Sequence, residues 1–399
     1  MPQHHAVGMT TIIRATAPHD LLALVPALAG FLPERSIVCV AFRGNRSAGV
    51  LRHDLPRRAR DRSAVAAAII GTLCRIPGVD AVVPIAYTDA TFAGAGGIPE
   101  RAFLALLMGK AEQAGFVVRD ALCRAADAWG SLFDQDGPAT GHPLALIDES
   151  AAARRAPAPP GGLGSHTAQG ELPAPDAATT RKIARELAAL TDLGHLEERL
   201  VRLGANADPV ELVETLVARD AVKHPPLRLA WFLHLADRPA MRDAMLLQFA
   251  FGPDVGATAH HDAEGTAGRA GQRGLSVDEL VTEEAARGVT DPTSDLLSRL
   301  LLGQSTLRPD PRRVKRAIAV VRSAIAAAPK GSRCGALCIA AWLSWSLGRG
   351  SAAGALLDEA LAIDPEHSMA VLLAAFIGSG ALPEWAFAES DPSDDPADQ

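Results

Sequence analysis

The sequence predicts an α/β N-terminal domain, with a mixed sheet and flanking helices, followed by an all-α, tetratricopeptide-like helical domain. Three observations lead to this prediction. Apolar runs suited to strands alternate with helical patterns up to about residue 150, a Pro-, Gly- and Ala-rich stretch follows at 151–178, and helical spacing dominates from residue 179. A chain of 399 residues is long enough for two or three domains.

The stretch 20–56 forms the centre of the predicted α/β domain. Residues 37–42 read IVCVAF, an apolar run rich in β-branched residues that is typical of a strand covered on both faces. Apolar residues before this run recur at helical spacing, with Asp20 in the position of an N-cap. After it, 43–46 supplies turn residues and 49–55 is expected to return as an antiparallel strand.

The remaining elements of domain 1–150 follow the same alternation. We expect, in chain order, a helix at 63–75, a strand at 79–87, a helix at 99–114, and strands at 116–124 and 128–133. Pro84 indicates a bulge in its strand or a position near the sheet edge, because proline has no N–H to donate.

Beyond residue 150 we divide the chain by composition. A linker at 151–178 precedes a helical segment at 179–252. A Gly/Ala-rich flexible loop is expected at 253–274, a repeat-like helical segment at 275–382 and an acidic disordered tail at 383–399. The adjacent His260 and His261 are interpreted as residues of a solvated loop, and no metal site is expected.

Charge and cysteine content limit the function. A net charge of −7 and a pI near 6.0 argue against a nucleic-acid binder, which normally shows a basic surface. Five cysteines at unrelated spacings in apolar surroundings indicate buried thiols in a reducing compartment. We see no signal peptide, and the apolar run 369–377 is too short to span a bilayer. We therefore expect a cytoplasmic protein without membrane contact or cofactor.

Residues 334–367 carry the most specific motif, which resembles a tetratricopeptide repeat. Gly348 stands between two predicted helices, Ala353 at their close crossing, and Pro365 after the second helix, while Pro329 precedes Pro365 by nearly one repeat length of about 34 residues. Trp342 and Trp345, three residues apart on the first helix, are candidate anchors for an unknown protein partner. The alternative is that both pack against neighbouring helices.

Over residues 10–380 the chain also resembles an uncharacterised actinobacterial family, domain of unknown function 4192. The resemblance lies in DLLALVPALAGFLPERSIVCVAF, LRHDLP, VVPIAYTD, the loop 141–144 and AWLSWSLGRG…LLDEALAIDP. The resemblance implies cysteines in the loop after the tryptophan strand, which many members of that family carry, whereas 132–141 has none here. Any metal or redox role that such cysteines serve in other members is therefore not expected of this loop. The resemblance implies no activity, substrate or catalytic residue.

A candidate ligand site follows the strand at 79–87, because ligands gather beyond the carboxyl ends of strands in α/β sheets. Its candidate residues are Asp54, Tyr87, Asp89, Gly94, Gly96 and Gly97. The glycine loop lacks the Lys-Ser/Thr of a P-loop, and we identify no catalytic residue. Two hypotheses result: a non-enzymatic interaction protein that binds a partner through its helical half, and a ligand-binding protein or enzyme that uses this crevice.

Overall fold

The computed structural model describes residues 15–156, 171–174, 176–218, 224–289 and 291–388. The described residues divide into two compact units, one up to residue 156 and one from residue 171. The first is an α/β unit and the second is all-helical, which confirms the predicted fold class. Each unit is described by itself below.

The α/β unit is built on one mixed sheet. Its described strands are β1 (Ser36–Arg43), β2 (Arg46–Asp54), β3 (Ala81–Tyr87), β4 (Val117–Val118), β5 (Leu122–Arg124), β6 (Ala128–Ser131) and β7 (His142–Pro143). Their spatial order is β2-β1-β3-β5-β6-β7, with β4 also paired to β3. The pairs of β3 with β4 and β5 are parallel, and the other pairs are antiparallel.

Helices cover both faces of this sheet. They are α1 (Pro18–Ala29), α2 (Arg62–Arg75), α3 (Phe92–Ala95), α4 (Arg101–Gln113), α5 (Ala145–Asp148) and α6 (Ala151–Arg155). Leu22 and Val25 of α1 pack against Val38 and Val40 of β1, while Ile37 and Cys39 pack in a second core with α2 and α4. The uniform apolar run of β1 is explained by this burial on two faces.

Pro84 lies in a central strand whose pairing with β1 shows no register shift, so the expectation of a bulge or of an edge position was wrong. β3 has β1 on one side, and on the other side it pairs with β4 at Ala81 and Val82 and with β5 from Ile85 onward. Pro84 faces the gap between those two short strands. The strand therefore tolerates a residue that has no N–H to donate.

The helical unit contains twelve described helices. They are α7 (Ala177–Thr191), α8 (Leu193–Leu203), α9 (Pro209–Val217), α10 (Pro226–Ala236), α11 (Pro239–Phe251), α12 (Pro253–Arg273), α13 (Val277–Ala286), α14 (Pro292–Leu301), α15 (Pro311–Ala327), α16 (Cys334–Ser346), α17 (Gly350–Ile363) and α18 (Ser368–Gly378). α16 is the central helix, since all of its residues are buried. Gly348, with φ 75°, turns the chain from α16 into α17, and the buried Ala353 lies in α17.

The predicted flexible loop 253–274 is wrong, because Pro253–Arg273 forms the helix α12. Pro253 occupies the first turn, where the missing N–H costs nothing. Gly256 packs so closely on α11 that an added Cβ would lie 2.5 Å from the side chain of Gln248. The high glycine content that suggested a loop instead allows α12 to pack closely on α11.

The predicted linker and tail are also partly ordered. Within the linker range 151–178, α6 covers Ala151–Arg155 and α7 begins at Ala177, while 157–170 lies outside the described residues. Within the tail range 383–399, Trp385 is buried and its Nε1 donates to the Ser346 carbonyl at 3.1 Å. Residues 389–399 lie outside the described part.

None of the described helices combines the length and apolar character that a membrane crossing requires.

Candidate functional site

Six residues form a continuous row across one end of the sheet. This cross-strand row consists, in spatial order, of Asp54, Ser36, Tyr87, Arg124, Trp129 and His142, each paired directly with the next. Tyr87 and Arg124 are the last residues of the parallel strands β3 and β5, where ligands bind in α/β sheets. Directly paired residues share a face of the sheet, and Tyr87 and Trp129 pack in the core that contains α1.

Two directly paired residues in the middle of the row, Ser36 and Tyr87, carry buried hydroxyl groups. Ser36 is 0% exposed and Tyr87 is 3% exposed. Neither Ser36 Oγ nor Tyr87 Oη has a hydrogen-bond partner among the described residues. A buried polar group without a partner costs about 1–3 kcal/mol, so unpaired hydroxyls on two paired residues indicate a group that the described residues do not supply.

The Tyr87 hydroxyl is a neutral donor. Burial raises the pKa of this phenol, because desolvation disfavours the phenolate, and the charge of Arg124 acts in the opposite direction. The proton therefore stays on Tyr87 throughout the physiological pH range. A partner for this hydroxyl must accept a hydrogen bond or bring an atom that both donates and accepts.

The row also carries two charged side chains, of which one is paired and the other is not. The exposed Arg124 side chain has no hydrogen bond or ion pair within the part of the chain that the structure describes. Asp54, whose side chain is 81% exposed, forms an ion pair with Arg52 of the same strand. Burial lowers the pKa of the Arg52 guanidinium, and Asp54 partly opposes this shift. The row thus has a compensated charge at Asp54 and an uncompensated cation at Arg124.

The aromatic end of the row is fixed by its own contacts. The rings of Trp129 and His142 stack with centroids 4.6 Å apart, and His19 of α1 lies 5.8 Å from Trp129. Trp129 Nε1 donates to the Pro143 carbonyl at 3.1 Å, and His142 Nε2 lies 2.8 Å from Asp134 Oδ2. The unused bonding capacity of the row therefore lies at Ser36, Tyr87 and Arg124.

The structure places two of the predicted ligand-site residues in this row and a third beside it. Asp54 and Tyr87 both pair with Ser36, on opposite sides of β1. Asp89 lies just beyond the row, where its carboxylate is 3.7 Å from the guanidinium of Arg35. Asp89 does not cap α4, which begins at Arg101 after Glu100.

The three candidate glycines have structural roles instead. The Gly94 N–H donates to Thr91 Oγ1, the Gly96 N–H to Ala93 and the Gly97 N–H to Phe92, so none of these amides is open to an anion. Gly96 and Gly97 have φ values of 67° and 144°, which explains why glycine occupies both positions. Phe92, at the start of this loop, packs in the core with α2 and α4, on the opposite face from Tyr87.

The interpretation of Trp342 and Trp345 as exposed partner-binding anchors is wrong. Their exposed fractions are 0% and 1%. Trp342 Nε1 donates to the Leu301 carbonyl and Trp345 Nε1 to the Ala381 carbonyl, each at 2.7 Å. Both rings pack with Trp385 in the core of the helical unit, as the alternative interpretation had it.

Other chemically suggestive groups already have partners. Ser131 Oγ donates to Asp120 Oδ1 at 2.5 Å, and burial raises the pKa of that carboxyl. Burial also raises the pKa of Cys39, Cys123 and Cys338 to about 12, so these thiols are poor nucleophiles. Within the described residues no group of three or more His, Cys, Asp or Glu side chains is arranged to hold a metal ion.

Sequence reasoning missed Ser36, Arg124, Trp129 and His142 as members of the site. Ser36 and Arg124 are the polar ends of otherwise apolar strands, which is a signal in the sequence. The register that places both of them beside Tyr87 joins strands far apart in the chain, and no local pattern encodes it.

Comparison with known proteins places the chain in a family without assigning an activity. No curated protein and no solved structure matches it. A family model described as "Domain of unknown function (DUF4192)" matches residues 18–384. The match covers most of the chain, and the protein therefore belongs to this family of domains of unknown function.

Proposed function

We propose that the chain is a ligand-binding protein whose α/β unit takes a small polar molecule at the cross-strand row. The observation that supports this most is the pair of buried hydroxyls, Ser36 Oγ and Tyr87 Oη, without partners among the described residues. Their position at the carboxyl ends of β3 and β5 is the usual place for a ligand in an α/β sheet. We propose binding rather than catalysis, because the serine and histidine of the row are not paired as nucleophile and base.

A thermal-shift screen of the full chain against small polar molecules tests this function. A ligand that binds only the folded state stabilises it by about 2.7 kcal/mol at a hundredfold excess over its Kd. Tyr87→Phe and Ser36→Ala should each remove most of the shift. Ser47→Ala is the matched control, because Ser47 is exposed at the opposite end of the β1–β2 hairpin.

The same variants give a second readout without ligand. Removing an unpaired buried hydroxyl should leave the free energy of unfolding unchanged or raise it by up to about 1 kcal/mol. A loss of about 1 kcal/mol or more in Tyr87→Phe, with a flat screen, would mean that an internal water satisfies the hydroxyl. That combination would contradict the proposed function.

A second candidate function is binding of a protein partner through the helical unit, and the last helix favours it. Met369, Ala370 and Leu373 of α18 are buried, whereas Val371 and Leu372 are 45% and 65% exposed. α17 packs on α16 and α18 packs on α17, so the next position in this tetratricopeptide-like series is that of another helix. We propose that an amphipathic helix of another protein occupies it.

Photo-crosslinking from position 372 in the native host tests the second candidate, with position 366 as a nearby exposed control. The expected result is a crosslink from 372 to an apolar helical segment of another protein, mapped by mass spectrometry, and none from 366. A crosslink to a second copy of this chain, or equal labelling from both positions, would overturn it.

We further propose a cytoplasmic location. Free thiols at all five cysteines, four of them buried, support a reducing compartment. Alkylation of denatured protein from native cells should find all five thiols reduced. Disulfides at any of them would contradict this location.

A further inference from the structure

The middle of the cross-strand row has more hydrogen-bond donors than acceptors. Tyr87 Oη and Ser36 Oγ each offer a proton, and Arg124 offers a guanidinium with up to five donors. None of the three side chains has a hydrogen-bond acceptor among the residues that the structure describes. The missing complement is a group rich in acceptor oxygens.

The nearby acidic side chains do not supply that group. Asp54 is paired with Arg52, and Asp89 lies against Arg35. Asp127 follows β5, but its Oδ1 accepts the N–H of Phe92, a residue of the core with α2 and α4, at 3.0 Å. Among these side chains, Arg124 is the one whose charge has no ion-pair or hydrogen-bond partner in the described part of the chain.

We infer that the ligand class of this site is a small oxyanion, a carboxylate or a phosphate, bound between Arg124, Tyr87 and Ser36. This inference rests on the proposed function and specifies it. Ser36 and Tyr87 form an antiparallel pair, whose Cβ atoms lie about 4.5–5.5 Å apart, and Arg124 pairs with Tyr87 on the next strand, so one oxyanion can bridge neighbouring side chains. Arg124 gives a bidentate, charge-assisted contact from the exposed side, while the hydroxyls bind from the buried side.

The side chains divide the recognition between charge and hydrogen bonding. Arg124 selects for negative charge, whereas Tyr87 and Ser36 recognise any acceptor oxygen. Loss of the guanidinium should therefore affect anionic ligands most. Loss of either hydroxyl group should weaken the binding of every ligand of the site, whether charged or neutral.

Titration of the full chain with three probes tests the inference: inorganic phosphate, succinate and glycerol, at constant ionic strength and pH 7.5. We expect phosphate or succinate to raise the melting temperature at lower concentration than glycerol, and the comparison of the two anions identifies the oxyanion. Arg124→Gln should weaken the anion's binding about tenfold or more, as loss of a charge-assisted contact does. Arg57→Gln, which alters an exposed arginine outside the strands, should leave it unchanged.

The outcomes separate this inference from the proposed function. Binding of glycerol but not of the anions, abolished by Tyr87→Phe, would overturn the oxyanion class and keep the ligand site. Equal binding of phosphate or succinate to wild type and Arg124→Gln would also overturn it, because binding would then be independent of the row's cation. No response to any probe, with Tyr87→Phe less stable than wild type, would overturn both.

Discussion

Gly335 allows two helices of the helical unit to meet backbone to backbone. A Cβ at this position of α16 would lie 2.0 Å from the carbonyl oxygen of Ala236, at the end of α10. Because a backbone cannot yield as a flexible side chain can, Gly335→Ala should lower the free energy of unfolding by about 3 kcal/mol. Chemical denaturation followed by tryptophan fluorescence measures this, since four of the five tryptophans lie in this unit.

Gly354→Ala is the matched control for that change. Gly354 lies inside α17, and an added Cβ would meet no atom within 4 Å. Replacing an unconstrained helical glycine by alanine should stabilise the unit by up to about 1 kcal/mol. Equal effects of the two substitutions would show that the contact between α10 and α16 is looser than the structure indicates.

Individual residues of the site were predictable only where their strand was predictable. Tyr87 and Asp54 were found because each ends a recognisable strand. Ser36 and Arg124 end strands as well, yet Ser36 matters because its hydroxyl is buried without a partner, and Arg124 because cross-strand pairing places it beside Tyr87. For Trp342 and Trp345 the sequence left exposure open, because α16 is apolar on all sides and shows no solvent face.

At the scale of elements, α12 shows why composition misled the prediction. Glycine inside a helix costs about 1 kcal/mol relative to alanine, so a Gly-rich segment has weak intrinsic helicity. The packing of α12 on α11 compensates for this low intrinsic helicity, and this packing is visible only in the folded structure. The strong helices of α15 and α17 were predictable because their apolar residues alone specify a buried face.

α12 also provides a pH-dependent contribution to stability through His260. This side chain is 8% exposed, and neither ring nitrogen has a hydrogen-bond partner among the described residues. Burial lowers the pKa of His260, with Asp208 and Glu264 acting in the opposite direction. The unfolded chain, with a histidine pKa near 6.5, therefore binds the proton more readily than the folded protein.

The sign of the effect follows from this difference. The contribution of His260 is complete above about pH 6.5 and is lost as the pH falls through the lower, folded-state pKa, with a slope of at most about 1.4 kcal/mol per pH unit. His260→Gln should make the free energy of unfolding less dependent on pH between 7.5 and 5. His261→Gln, which alters the exposed neighbour, should keep the wild-type dependence. Parallel curves for all three proteins would exclude His260 as the titrating group.

At the scale of the whole molecule, the division into an α/β part and a helical part was predictable because the two parts differ in hydrophobic period. The arrangement inside each part was not. Strand order depends on long-range pairing, as when β3 inserts between β1 and β5, and helix packing depends on a few close contacts such as that at Gly335. Both are properties of the assembled fold.

Because each unit has its own core, residues 15–156 should fold without the helical unit. Both faces of the sheet are covered within this range, by α1 on one side and by α2 and α4 on the other. A domain of this size buries roughly two thirds of the surface that its unfolded chain exposes, which is enough for cooperative folding. The isolated fragment should therefore unfold in one sigmoidal transition, followed through Trp129, its single tryptophan.

Val38→Asp is the control for that experiment, because Val38 is fully buried in β1 and a carboxylate there should abolish the transition. A gradual, non-cooperative change in the unaltered fragment would mean that the α/β unit needs the helical unit to fold. Cooperative unfolding, by contrast, would let the ligand response of Tyr87 and Arg124 be measured on the fragment. Any ligand-induced shift in the melting temperature of the fragment would then arise from the sheet and the helices of the α/β unit alone.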